Sequence, residues 1–361
     1  MMESTPSNIN WRGVNKLQRP GMQRLSALQA IAHGSDSVQY FQWRKSRGSH
    51  EKFHGAVVDH VGHEHTRVFA DVAHLGSDLE KLDAVVGTTT QADVAIVYDW
   101  ENDWAIKGFA GYNAQRRDYQ AVCEQYHAPF WKRGIPTDVI SMEQDFSPYK
   151  LVIAPMLYML KPHTAARIAD YVQNGGCFVG TYLTGIVNEN DLCYLGGVPA
   201  EGLREVFGVW AEETDALHDG EVNVFSYGGS TYEARHICDL LHAESATVLG
   251  TFESDFYAGY PAVTRHAYGR GAAYYVAPRG DDRFIDRFCG DLIESRKPRR
   301  SINIDLPEGV SAQRRGEQVF LMNFRPEETA VMLDRAYRDL LSDATVCGKT
   351  VLPPFGCLIL R

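Results

Sequence analysis

Near the start of the chain a carboxylate stands directly before a break in extended structure: Glu3 precedes Ser4-Thr5-Pro6-Ser7, and Pro6 must end any strand there. At the carboxyl end of a strand in an alternating α/β fold, such a carboxylate would face the side on which chemistry is done. By position alone it could equally be a solvated terminal Glu. Trp11 follows in the same loop, Phe41 and Trp43 close the next extended segment, and Arg44 to Gly55 is a loop dense in charge and histidine. Within that loop Glu51 and His54 are three residues apart, so their acceptor and donor groups can converge on adjacent hydroxyls of one ligand. Carboxylates and a histidine beside flat aromatic rings suit a neutral polyol, which offers apolar faces and a fringe of hydroxyls. The competing readings are that His54 braces its loop and that the tryptophans fill cores.

The elements that must position these groups can be read from periodicity. Gln23–Ala32 carries Leu25, Leu28, Ile31 and Ala32 on one stripe and predicts a helix that Gly34 stops. Ser37–Trp43 is rich in strand formers, and Arg67–Leu82 predicts a second helix. From Asp93 to about Ser295 the pattern alternates again. Strands are expected at Val94–Tyr98, Asp138–Ile140, Leu151–Pro155 and Cys177–Tyr182, with helices at Gln115–Lys132 and Pro162–Asn174, which predicts a doubly wound parallel sheet. Short alternating segments from Ser301 to the end predict a small antiparallel β domain.

Composition narrows the partners. The 361 residues carry a formal net charge of −10 and no cluster of Lys and Arg interleaved with aromatics, so no nucleic acid is expected. No apolar run approaches the roughly 18 residues of a membrane span, and the first residues lack a signal-peptide pattern. The seven cysteines are scattered and never spaced C-x-x-C, which points to free thiols in a reducing cytoplasm and to neither a metal site nor a redox pair.

Several motifs in order carry a more specific signal. Glu3-Ser4-Thr5-Pro6-Ser7, Asn10-Trp11, Pro20-Gly21-Met22, His33-Gly34-Ser35-Asp36-Ser37 and Phe41-Gln42-Trp43-Arg44 through Glu51-Lys52-Phe53-His54-Gly55 closely resemble the family 42 β-galactosidases, and the likeness continues through the rest of the chain. The resemblance implies an α/β protein in three parts. These are the last two βα units of a TIM (β/α)8 barrel at 1–87, a class I amidotransferase-like (flavodoxin-like) trimerisation domain at 88–297, and a small antiparallel β domain at 298–361. It also implies retaining hydrolysis of β-galactosides with Glu3 as nucleophile, with Trp11, Phe41, Glu51 and His54 lining the galactose subsite. The family's acid/base belongs to an Asn-Glu pair upstream of anything in this chain, as does its zinc-binding cysteine cluster. The chain is therefore expected to lack half its active site and to hold no metal or cofactor. The choice left open lies between an enzyme segment and a catalytically inactive assembly module, in either case a homotrimer by resemblance.

Two motifs invite misreading. Asn188-Glu189 occurs within Val187–Leu192, inside the second domain, and reads as a surface turn. Cys177 opens its strand instead of sitting on the strand-to-helix elbow an amidotransferase nucleophile needs, so no catalysis is expected there.

Overall fold

A computed structural model describes all residues from Met1 to Arg361, and the chain divides into two compact units. The first comprises Met1–Gln91, Trp131–Pro136 and Arg300–Arg361; the second comprises Ala92–Phe130 and Thr137–Arg299.

In the first unit, helix α1 (Met22–Ala32) begins after Pro20-Gly21 and buries Leu25, Leu28, Ile31 and Ala32, the stripe expected from its spacing, together with Gln23 and Ala27. Helix α2 (Arg67–Leu79) is capped by Thr66, whose hydroxyl accepts the Phe69 N–H. It stops three residues short of the predicted end, giving way to a 3-10 turn at Asp83–Val85. Their inner faces pack on Phe320, Met322, Cys357 and Ile359. These belong to an antiparallel sheet of Val310–Arg315, Gln318–Asn323 and Cys357–Leu360, beside a two-stranded ribbon of Thr329–Arg338 with Thr345–Leu352. Each large apolar side chain buried here contributes roughly 1.5–3 kcal/mol.

Between these layers lies Arg315, 1% exposed. Its guanidinium donates to the carbonyls of Ile31 (2.8 Å), Ser35 (2.7 Å) and Thr88 (3.1 Å) and to the Asp36 carboxylate. The Asp36 carboxyl is held below its ordinary value, first by the Gly87 N–H and then by Arg315.

The second unit is built on a seven-stranded mixed sheet. Thr137–Ile140, Val94–Val97, Leu151–Ala154, Cys177–Thr181 and Gly271–Val276 run parallel in that spatial order. Pro261–Tyr268 and Thr247–Thr251 extend it antiparallel. The all-parallel expectation therefore holds only for its centre. The outer strands come from hairpins, which need no crossover helix. A second antiparallel sheet of Val209–Ala216, Asn223–Tyr227, Ser230–Ala243 and Pro278–Gly280 went unread in the sequence. The helices are α3 (Trp100–Gly108), α4 (Tyr119–Lys132), α5 (Thr164–Gln173), the short α6 (Leu203–Phe207) and α7 (Asp282–Arg296). Helix α4 starts four residues later than its periodicity suggests, because the Asp118 side chain accepts the Ala121 N–H and fixes the start.

After the central strand Cys177–Thr181 the chain turns through Leu183, which is fully buried with φ 63°. A side chain with a Cβ is strained in that region. The Leu183 N–H is given to Asp239, a carboxylate 1% exposed that also accepts from Tyr275 (2.8 Å) and Thr214 (2.8 Å). Burial pushes the Asp239 carboxyl up to about 6, against hydrogen bonds that pull it down. The folded state thus binds this proton more tightly than the unfolded chain. The favourable contribution is complete below about pH 4 and is lost as pH rises through 6, amounting to about 3 kcal/mol by pH 7. Asp239→Asn should remove that slope. Relative to wild type, the variant should gain stability on going from pH 4.5 to pH 8 in urea titrations, and parallel stability curves would show that Asp239 is not protonated in the fold.

Candidate functional site

The residues singled out in the first sixty positions converge through main-chain pairing. Ser4 and Tyr40 form a parallel bridge, in which Ser4 N–H donates to Gln39 O (2.8 Å) and Phe41 N–H donates to Ser4 O (2.9 Å). Pairing goes no further, because Pro6 has no N–H to offer. A second parallel bridge joins Arg44 to Val58, with Val57 and Val58 donating to Gln42 and Trp43. Ser37–Trp43 is thus an extended segment held by isolated bridges instead of a continuous strand. The Phe41-Gln42 peptide is cis.

The two loops are fastened directly. Gly55 N–H donates to Asn8 O (2.7 Å), Asn8 Nδ2 donates to Phe53 O (3.3 Å), and Asn10 Nδ2 donates to His50 O. The approach at Gly55 leaves no room for a side chain, since a Cβ there would lie 2.1 Å from Ser7 Oγ and 2.8 Å from Asn8 O.

This fastening assembles an aromatic wall. Trp11 stacks on His54 with centroids 5.1 Å apart and an 18° tilt, and Phe41 meets the same imidazole edge-on at 5.4 Å and 73°. His54 is 1% exposed, and its Nδ1 donates to Gly55 O at 3.0 Å, so the remaining ring nitrogen is available as an acceptor. Trp11 keeps 65% of its surface open to solvent, as a face for stacking requires.

Glu3 is exposed, one residue before the Ser4 pairing that brings its strand end beside Phe41. Glu51 is exposed in the turn closed by His54 N–H on Glu51 O (2.9 Å), so one turn holds both residues, with the carboxylate in solvent and the imidazole in the wall. The structure therefore brings Trp11, Phe41 and His54 into contact. Glu3 and Glu51 are placed through the backbone of neighbouring segments. Of the residues that hold the loops, Asn10 and Gly55 stood in the family-like motifs without an assigned role, and Asn8 was not singled out from the sequence. The available clue was short amide side chains in an irregular loop, where they bind main chain.

A cleft of about 770 Å³ lies wholly within the second unit, between Asp145–Lys150, one side of α5 and the end of α7, and includes none of these residues. Half-buried Asn188 ends a short strand paired with Met159–Leu160, and the exposed turn expected here begins at Glu189, with the Asn188 side chain accepting from the Asn190 and Leu192 N–H groups. Cys177 is completely buried and burial pushes its thiol up to about 11, the opposite of a nucleophile's environment. No group of three or more His, Cys, Asp or Glu side chains is arranged to hold a metal ion, and no helix is long and apolar enough to cross a membrane.

The fold is α/β with mixed sheets, and the comparisons place it in a family. Residues 1–82 match the family model described as β-galactosidase, 92–297 the β-galactosidase trimerisation domain, and 309–361 the β-galactosidase C-terminal domain. The β-galactosidase Pbg of Clostridium perfringens is 52% identical over the whole chain, and GanA of Bacillus subtilis is 43% identical over 98% of it. The crystal structure of the cold-adapted β-galactosidase from Rahnella sp. R3 superposes over the entire chain with a TM-score of 0.95 at 48% identity, covering 54% of that structure. The chain belongs to glycoside hydrolase family 42. It spans about half the length of the curated relatives it matches, 54% of Pbg and 53% of GanA.

Gly55→Ala should separate the two loops. Relief of the Ser7 and Asn8 contacts should cost about 1–3 kcal/mol and red-shift Trp11 emission as its stack on His54 opens, read in a protein whose other tryptophans are replaced. Unchanged stability and emission would show that the loops are not clamped at this point.

Proposed function

We propose that this chain supplies the nucleophile and one sugar-binding wall of a retaining β-galactosidase. The supporting observation is the Ser4–Tyr40 pairing, which sets the strand end bearing Glu3 beside the Trp11–His54–Phe41 wall. In this reading the first 87 residues are the last two βα units of a TIM barrel, 88–297 form an amidotransferase-like assembly domain and 298–361 close the chain. A barrel is a closed sheet, so two βα units present open edges that the preceding part of the relatives would cover.

The chemistry follows from what two carboxylates can do. Glu3 attacks the anomeric carbon and forms a galactosyl ester as the glycosidic bond breaks. A second carboxylate, about 5–5.5 Å away, first protonates the leaving oxygen and then takes a proton from the water that releases galactose. That second group is assigned to the part of the relatives this chain does not span. Trp11 presents its open face to the apolar side of the ring, and His54 and Glu51 meet hydroxyls. The protein acts as a homotrimer assembled through residues 92–297, with no cofactor.

The chain alone should not hydrolyse a chromogenic β-galactoside. A hybrid, in which the preceding part of Pbg is joined before Met1, should do so. In the hybrid, Glu3→Gln should lower kcat by about four orders of magnitude or more, because the covalent step is lost. Azide should restore turnover to Glu3→Ala with inversion at the anomeric carbon. Near-normal activity of Glu3→Gln would overturn the assignment.

A further inference from the structure

The cleft of about 770 Å³ in the second unit is walled by three cations, Lys150, Arg167 and Arg296, and two carboxylates, Asp145 and Asp170. Contacts within the fold decide which of these charges are already met. Lys150 reaches Asp93 at 2.9 Å, a buried carboxylate whose other oxygen Arg299 holds at 2.8 Å. Asp145 accepts the N–H and the hydroxyl of Ser147 at 2.9 and 2.6 Å.

Arg296 is different. It lies in the last turn of α7, where the carbonyl end of the helix favours a cation, yet its Nε is buried and has no hydrogen-bond partner. Its guanidinium meets the Cys177 thiol, which is completely buried and neutral because burial pushes it up to about 11. A thiol cannot neutralise a guanidinium. Half-buried Arg296 therefore borders the cleft with a neutral group behind it. Partial burial of a cation is costly until an anion meets it, and a cleft of this volume has room for a small molecule that brings one.

The rest of the lining indicates what kind. A guanidinium holds phosphate or carboxylate through two parallel bonds. Arg167, half-buried on α5 with Nη1 donating to Met142 O at 2.8 Å, adds a second cation to the same cleft. Asp170 and Asn174, exposed at the end of that helix, offer a carboxylate and an amide to hydroxyls. Phe146 and Tyr171 are buried and Tyr149 half-buried, so no ring stands open for a neutral sugar as Trp11 does. The chain as a whole carries −10, so an anion would be held here by these side chains against the general field.

We propose that this cleft binds a small polyol bearing a phosphate or a carboxylate, with the anion on Arg296, Arg167 as the second cation, and Asp170 and Asn174 on hydroxyls.

Titration calorimetry of the full chain with glucose 6-phosphate, gluconate, inorganic phosphate and glucose provides the test, repeated on Arg296→Met and Arg167→Gln. Methionine keeps the stem that covers Cys177, and Arg167 stands on the outer side of α5, so at least one variant should keep the wild-type circular dichroism. Glucose 6-phosphate or gluconate should bind at least tenfold more tightly than glucose, and whichever binds better assigns the anion as phosphate or carboxylate. Each folded variant should weaken that binding at least tenfold. Failure of both polyol anions to bind, or unchanged affinity in the variants, would overturn the site. Inorganic phosphate binding as tightly as glucose 6-phosphate would show an adventitious ion only and overturn the polyol assignment, and glucose binding as tightly would overturn the role of the arginines.

Discussion

The guanidinium of Arg315 is the contact from which the first ninety residues take their position. It sits in the antiparallel sheet of the C-terminal segment, yet its donors go to Ile31, Ser35, Asp36 and Thr88. Those groups are the end of α1, the turn that follows and the exit from the α2 region, so one side chain ties three passages of chain to the sheet. Burying a guanidinium is unfavourable unless its donors are met, and here carbonyls and one carboxylate meet them in a fixed geometry. The turn it fixes leads directly to Val38–Phe41, whose pairing with Ser4 sets Phe41 beside the loop of Glu3. The catalytic arrangement proposed here therefore depends on a residue about 280 positions away from the turn it holds.

That dependence marks what could and could not be read in advance. Helix α1 and the central parallel strands were legible because apolar spacing is local: Leu25, Leu28 and Ile31 report their own burial. Arg315 was not, because a lone arginine in a polar stretch looks solvated until its distant partners are known. The same holds for His54. Its type and its place in the loop nominated it, but nothing in the sequence shows that it is buried between Trp11 and Phe41. The second antiparallel sheet was legible and went unread. Tyr227-Gly228-Gly229-Ser230 is a two-residue hairpin signal, and both glycines have positive φ.

The second unit holds a strained turn at the end of its central strand through a buried carboxylate. At the end of Cys177–Thr181 the backbone bends through Leu183 in the left-handed region. The side chain is aliphatic and fully buried, and Asp239 accepts from the Leu183 main-chain N–H as well as from the Thr214 and Tyr275 hydroxyls. Local strain there is offset by a completely hydrogen-bonded carboxylate, which stabilises the turn as packing. The chemistry proposed for this chain rests with the first unit, where a carboxylate, an imidazole and an open indole face are carried on loops fastened to one another.

Covalent labelling tests the central claim, that Glu3 is the nucleophile, most directly. A 2-deoxy-2-fluoro-galactoside with a good leaving group slows release of the glycosyl ester more than its formation, so the ester accumulates. In the hybrid carrying the preceding part of Pbg, peptide mass spectrometry should find one fluorogalactosyl group on the segment containing Glu3, and none in the Glu3→Gln variant. A label on any other carboxylate, or an undiminished label in that variant, would contradict it.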